Sequence, residues 1–560
     1  MPSVLKPWGV EPVRHWISWE AGRLLQEASQ FRGRSRATLQ VILNHTGGSI
    51  WGQAHGLAGA DKLRAFEALA ASSYVDYEPF IQRMAQGESN VLTMLPVIYF
   101  AETSGTTGIP KLIPLTRVQM VNLVRWGAVI SYGMAVRAGL LGPLYGPVFM
   151  VLTQFKGDYT AGGIPRGPVT AGGFTHLGWM GNFITASQAV VEVQPQATSR
   201  YLHLLWALRS DDLWAIGAFF PAMLLFVFRD LQAQAPLLLK DLTDGTLKAD
   251  LELTVEQRSR LQALWRAVPA RARELERLLS RPWTVRDLWP GVGCVITATG
   301  GPFRFYIDQL RPYLGEVPVF SPLYAASEAA GLGVARSPQE PGYVLTPRES
   351  YLELLPLGGD GEPVGRPVSA WQAEVGGTYE VMVTTLSGLM RYRLGDVVRV
   401  SGFYGEAPVV DFVERRGNGL NLIGEKTAEH VLVTACETVF RQAGIPIVDY
   451  FMTLDLKTTP GRYLLTVEFS AGVRISSAEF DQLVEAVDRE LCHLSPVYAA
   501  SRDIAEIGPL GGQRLRPGAI ERYRDLRVAR GTPVSQFKVP HVVSKGDFVE
   551  EYFSQEVVGS

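Results

Sequence analysis

Thr103-Ser104-Gly105-Thr106-Thr107-Gly108-Ile109-Pro110-Lys111 gathers two glycines, three threonines, a serine and a lysine into nine residues. Glycine lets the backbone turn with its amides pointing inward, the hydroxyls add donors and the lysine adds a point charge, a set that suits a polyphosphate. An ordinary polar surface loop is the bland alternative, but so dense a set of donors serves no packing purpose. The Walker spacing G-x-x-x-x-G-K-[ST] is absent here. Upstream, the apolar run at 95–100 reads as a strand. Downstream, RVQMVNLVRWGAVISYGMAV at 117–136 has helical spacing and PVFMVLTQF at 147–155 reads as another strand. Strand, glycine loop, helix and strand in that order predict an α/β fold.

The wider chain agrees with a folded enzyme-sized body. Its 560 residues suggest three or four compact units on length alone. Only 19% are charged against 47% hydrophobic, which excludes disorder as the main state. With 53 Lys and Arg against 55 Asp and Glu there is no general positive field, so nucleic-acid binding is not expected. The segment 255–281 carries seven arginines and reads as two surface helices with a solvated face. Cys294, Cys436 and Cys492 form no C-x-x-C pair, and the start MPSVLKPWGVEPVRHW has no apolar signal core, so a cytoplasmic location is expected. The longest apolar run, 213–228, is interrupted by Pro221 and too short to span a bilayer. It predicts a buried strand turning into a helix at the proline.

The first hundred residues read as helices, as in HWISWEAGRLLQEASQF. Between 351 and 410 short β-rich runs such as YLELLPL, TYEVMVTTL and MRYRLGDVVRV predict an antiparallel or barrel-like section. From Thr427 helix and strand alternate through TAEHVLVTACETVFRQAG, VDYFMTLDL, GRYLLTVEFSAG and SAEFDQLVEAVDRELCHL, which predicts a small α+β domain. The expected division is therefore a large domain over 1–425 and a small mobile one over 426–560. Catalytic metal and nucleophile signatures are missing: there is no H-E-x-x-H and no G-x-S-x-G. None of the eight histidines lies four residues from another, so each reads as structural.

The loop at 103–111 resembles the S-G-T-T-G-x-P-K signature of the adenylate-forming superfamily. Two further motifs narrow the branch: Tyr324-Ala325-Ala326-Ser327-Glu328, and Arg391-Tyr392-Arg393-Leu394-Gly395-Asp396. They resemble the second and third motifs of the auxin-responsive Gretchen Hagen family of acyl acid amido synthetases, near Y-x-S-S-E and Y-R-x-G-D. Similarity continues through VDYEPFIQRM, DLTDGTL, LWPGVGCVITATGG, FVERRGNGLNLIGEKTAEH and SQFKVP, covering nearly the whole chain. The loop keeps the superfamily form where the plant family reads nearer S-S-G-T-S-x-G, as expected of a bacterial-type member.

This resemblance implies an adenylate-forming enzyme fold, with ATP and Mg²⁺ as cofactors and a two-step reaction. A small carboxylic acid attacks the α-phosphorus of ATP to give an acyl adenylate and pyrophosphate, and an amine, an amino acid by the resemblance, then displaces AMP. Neither nucleic acid nor membrane is an expected partner. Ser104, Gly105, Thr106, Thr107 and Lys111 would hold the phosphates. Glu328 would bind Mg²⁺, which takes one or two protein carboxylates. Thr299, Gly300, Tyr324 and Ser327 would surround the nucleotide, with Tyr324 stacking on adenine, and Asp396 would accept from the ribose hydroxyls. Lys426 at the domain border and Lys538 in the small domain are the remaining catalytic lysines, and a salt-bridged surface lysine stays the alternative for each. His541 stands where the plant pattern has Arg. The acyl pocket is expected along 117–136, with Met120, Val121, Leu123, Val124 and Trp126, and along GGIPRGPVTAGGF at 162–174, although those helix residues equally suit a core. A thiol acceptor, as in an acyl-CoA or carrier-protein ligase, is the alternative second step, and a noncatalytic binding protein is the alternative class.

Overall fold

In the computed structural model the apolar run before the glycine-rich loop forms the strand Val97–Thr103, and the chain returns as the strand Lys111–Thr116. The two pair antiparallel, with Thr103 opposite Lys111. The structure describes residues 11–103, 111–143, 146–152, 158–167, 169, 178–193, 196–300, 304–359, 361–416, 419–420, 427–455, 457–458, 460–503, 507–530, 537–543 and 548–558. The return strand corrects the expected strand, loop and helix order, because the loop joins two strands and the helix begins only at Arg117. KLIPLT hides its strand character behind Pro114, which is tolerated because this strand lies at the edge of its three-stranded sheet. The helix start is set by a capping box in which Thr116 and Gln119 satisfy each other's backbone amides.

The expected helix over 117–136 is present but interrupted. Arg117–Val124 and Ser131–Arg137 are α-helical, and Arg125–Ile130 between them is a π-helix. Four parallel strands, Val148–Met150, Ala215–Gly217, Cys294–Ile296 and Val319–Phe320, lie side by side in that order. The strand of the 213–228 run is followed by the helix Pro221–Asp244, with the proline in its first turn and Gly245 closing it in the left-handed region at φ +69°. A third sheet has, among the described residues, eight strands in the order Val368–Ser369, Ser350–Pro356, Thr378–Thr385, Tyr392–Tyr404, Ala407–Arg415, Tyr343–Leu345, Gly333–Val334 and Leu323–Tyr324. This is the β-rich section expected over 351–410, extended backwards by three short strands.

The arginine-rich segment forms the helices Val255–Leu264 and Pro269–Leu279. Its face is not simply solvated. The Arg258 guanidinium donates to the carbonyls of Lys248, Ala249 and Leu251, and buried Arg271 donates to those of Leu208 and Leu288. No helix among the described residues is long and apolar enough to cross a membrane.

The chain divides into two compact units, Met1–Phe412 and Val413–Ser560, so the expected border at 425 falls inside the second unit. In that unit the helices Glu429–Ala443 and Ser477–Leu494 accompany a sheet of Ile447–Asp455, Arg462–Phe469, Gly511–Leu515 and Val557–Val558. The first two strands are antiparallel and the second and third parallel, an α+β arrangement.

Candidate functional site

The carboxyl ends of parallel strands are where open α/β sheets leave a crevice for ligands. Two of the sequence motifs sit there. Cys294–Ile296 runs out into Thr297, Ala298, Thr299 and Gly300, and Val319–Phe320 runs out toward Tyr324 and Glu328. The Thr297 hydroxyl is buried and has no hydrogen-bond partner among the described residues. Thr299 is half-buried, and Gly300 is exposed. A Cβ placed on Gly300 would meet nothing within 4 Å among the described residues.

Tyr324 ends the strand Leu323–Tyr324, and the chain then turns tightly, with Ala326 and Ala329 exchanging backbone hydrogen bonds of 3.0 and 3.2 Å. That turn leaves Ser327 half-buried and buries Glu328 to 4% exposure. Asp396 lies on Tyr392–Tyr404, where the register against Thr378–Thr385 slips between Glu380 and Met382 and Gly395 takes φ +79°. A bulge of this kind bends a strand and re-aims its side chains. Here the buried Asp396 carboxylate accepts a 3.0 Å hydrogen bond from the Tyr324 hydroxyl. The two strands are four positions apart in the sheet order. A flat sheet at roughly 4.8 Å per strand would set them about 19 Å apart, beyond the reach of the two side chains. The sheet therefore curls, which agrees with the barrel-like expectation, and the curl joins the second motif to the third. The Tyr324 ring itself is packed against Tyr343 and Phe412, with centroids 5.8 and 6.2 Å away.

The arginine that opens the third motif supports the fold. Arg391 has φ +49°, rare for a residue with a side chain. Its guanidinium makes a two-point bond of 3.0 and 2.9 Å to Glu353 and also donates to the carbonyls of Glu67 and Leu69. Burial pushes the Glu353 carboxyl above its usual range although Arg391 pulls it down.

Lys111 opens the return strand, directly across from the residue that enters the loop, and its ammonium lies 5.4 Å from the centre of the Tyr74 ring. Ser104, Gly105, Thr106 and Thr107 lie outside the described residues, as does Lys426. Lys538 is exposed in the second unit, between buried Phe537 and Val539. Of the residues expected to line an acyl pocket, Met120, Val124 and Trp126 are buried in the core, while Val121 is exposed. From 162–174 the strand Arg166–Gly167 pairs with Val97–Thr103, and Arg166 reaches Glu102 at 3.5 Å just before the loop. Glu102 is pushed up by burial against the pull of Arg166.

One structural link was not signalled by any motif. The π-helix turns Trp126 onto Gly331, three residues beyond Glu328, and the indole N–H donates at 3.1 Å to the buried Glu349. The Asn122 side-chain amide donates to the other oxygen of Glu349 at 2.6 Å, and burial raises that carboxyl above its usual range. Only the 122/126 spacing on one helix face hinted at a shared partner.

The sequence patterns of the GH3 family N-terminal, central and C-terminal domains match residues 21–319, 343–415 and 426–547. The chain belongs to the GH3 family. Among curated relatives, a probable indole-3-acetic acid-amido synthetase, GH3.2 of Oryza sativa subsp. japonica, is 30% identical over 91% of this chain and 88% of its own length. The jasmonoyl–L-amino acid synthetase JAR6 of Nicotiana attenuata is 28% identical over 97% of this chain and 94% of its own. Among solved structures, a GH3.15 acyl acid amido synthetase superposes with a TM-score of 0.86 at 24% identity, covering 96% of both chains. A 2-hydroxyisobutyryl-CoA ligase in its postadenylation state superposes with a TM-score of 0.52 at 12% identity, covering 96% of this chain and 91% of its own. The GH3 fold is thus the fold of this chain, and adenylate-forming ligases share its outline.

Proposed function

We infer that this GH3 family member is an ATP-dependent acyl acid amido synthetase, an acid–amino acid ligase. A carboxylate is a poor electrophile, so the acid oxygen first attacks the α-phosphorus of ATP and the bond to pyrophosphate breaks. The amine nitrogen of an amino acid then attacks the acyl carbon, the bond to AMP breaks and the nitrogen gives up a proton. The observation that carries this reading is the buried Tyr324–Asp396 bond, which ties two family motifs together beside the carboxyl ends of the parallel strands.

In this reading the Tyr324 hydroxyl fixes Asp396, and a carboxylate, able to accept several hydrogen bonds at once, also takes the ribose hydroxyls. The unpartnered Thr297 hydroxyl, the half-buried Thr299 and the exposed Gly300 suit a polar ligand. Tyr324 offers its ring to the adenine. Ser104, Gly105, Thr106, Thr107 and Lys111 hold the phosphates as charge develops on departing pyrophosphate, and Lys426 and Lys538 contribute from a mobile small domain. Among the described residues no three His, Cys, Asp or Glu side chains converge, so Mg²⁺ would lean on Glu328, phosphate oxygens and water. Magnesium would supply charge neutralisation on the phosphates. The three free cysteines suit a reducing cytoplasm.

An acid-by-amine screen, read by pyrophosphate release and product mass, tests this reading. Acid-dependent pyrophosphate and AMP are expected, with an amide as final product, and Lys111→Ala and Asp396→Ala each lowering the rate roughly 100-fold or more. ADP as the nucleotide product would overturn adenylation. Thioester formed with coenzyme A and no amide with any amine would overturn the acceptor assignment.

A further inference from the structure

Lys538 sits on a segment held by buried neighbours on both sides. Phe537 and Val539 are buried in the small apolar cluster with Phe451, Tyr523 and Phe548, so the side chain between them is turned outward. Beyond Pro540 the segment runs parallel to Ile447–Asp455. The Met452 amide donates to the His541 carbonyl at 2.7 Å, and the Val543 amide donates to the Met452 carbonyl at 2.9 Å. His541 and Asp449 are each 2% exposed. The His541 ring nitrogen Nε2 lies 3.0 Å from Asp449 Oδ1, and its face stacks on Tyr450 with centroids 4.4 Å apart and planes at 21°.

Asp449 owes its direction to a bulge. The register against Arg462–Phe469 slips between Ile447 and Asp449, and the same Asp449 oxygen accepts from the Tyr450 amide at 2.8 Å. A bulge is a device for re-aiming a side chain, and a buried carboxylate and imidazole are retained only with mutual hydrogen bonding. Core packing alone does not call for such a pair, since an apolar side chain would fill the space. The pair fixes one point on the segment, three residues after Lys538.

We propose that Asp449 and His541 form a buried clip that sets the position of Lys538 for the adenylation step, making both of them positioning residues. The clip acts downstream of Lys538 while Phe537 and Val539 anchor the chain on either side of it, so the lysine has one fixed backbone position within the second unit. This rests on the reading of Lys538 as an adenylation lysine.

The experiment separates the two half-reactions of the full-length enzyme. Acid-dependent exchange of labelled pyrophosphate into ATP reads adenylation, and aminolysis of a chemically prepared acyl adenylate reads amide formation. For His541→Ala and Asp449→Ala the exchange rate is expected to fall roughly 10- to 100-fold, the effect of misplacing a reacting group by about 1 Å. The KM for the acid should hold, and aminolysis should stay within about twofold of wild type. His541→Gln, which can still donate to Asp449, should recover most of the exchange. The clip is overturned if Lys538→Ala lowers exchange while His541→Ala does not. It is equally overturned if exchange and aminolysis fall together with the thermal midpoint and Gln gives no rescue, the mark of a purely structural pair. If the wild type exchanges pyrophosphate with no acid, or Lys538→Ala leaves exchange untouched, the functional reading beneath it fails instead.

Discussion

Gly331→Ala is a stringent probe of the path between the second family motif and the core. Gly331 does not use a left-handed φ; it is glycine for room. A Cβ there would lie 2.0 Å from Cε2 and 2.3 Å from Cδ2 and Cζ2 of Trp126, in the middle of an indole that is 1% exposed. No rotation of a flexible end relieves this, because the ring is rigid and held by its bond to Glu349. Overpacking a core costs about 1–3 kcal/mol. If the indole shifts enough to leave Glu349, the buried carboxylate loses a donor at about 1–3 kcal/mol more. The expected loss is therefore about 1–3 kcal/mol, or about 2–6 kcal/mol if the indole leaves Glu349, with reduced pyrophosphate release because Glu328 is only three residues away. Urea unfolding of wild type, Gly331→Ala, Trp126→Leu and the double variant measures it. In the Leu background the added methyl should cost at least 1–2 kcal/mol less. A loss under about 0.5 kcal/mol in Gly331→Ala, or an equal loss in both backgrounds, would refute the claim that these two groups compete for one space.

Tyr324→Phe removes the hydroxyl that holds Asp396 and should cost about 1.5–3 kcal/mol, the range for a hydrogen bond to a charged group. It should also raise the KM for ATP; unchanged stability and unchanged KM together would show that the bond organises nothing. Glu349 is raised above its ordinary value of 4.5 chiefly by burial. A raised folded pKa gives a contribution present below the unfolded value and lost as pH climbs through the folded one. Wild type should thus lose stability relative to Glu349→Gln from about pH 4.5 upward, levelling once the folded group has ionised. A flat difference across roughly pH 4 to 8, followed by urea midpoints, would mean the carboxyl titrates as in water.

Much of the architecture could be read from the chain because local chemistry and tertiary context agreed. Pro221 begins its helix because a missing amide hydrogen is harmless in the first turn, and Ser476 with Glu479 opens Ser477–Leu494 as a capping box. The β-rich run TYEVMVTTL forms Thr378–Thr385, which is buried on both faces from Tyr379 onward. The misreading fell where a local signal was masked. Pro114 fits a strand here because an edge position needs no inward amide, so the glycine loop connects strand to strand. The π turn at Arg125–Ile130 had no sequence mark at all, since it is fixed by where Trp126 must lie.

The motif residues show the same division. Tyr324, Glu328 and Asp396 stand out in the sequence by their order and neighbours, because the resemblance they carry lies in short, recognisable runs. That Tyr324 bonds Asp396 was decided by the curl of a sheet, and that Asp449 meets His541 across 92 residues of chain was decided by a bulge. Residue type and local spacing are properties of the chain, so the sequence determines the elements and the kinds of groups on offer. Which buried polar group meets which is settled only when the strands close, because leaving either one unpaired in the interior costs more than bending the backbone to join them.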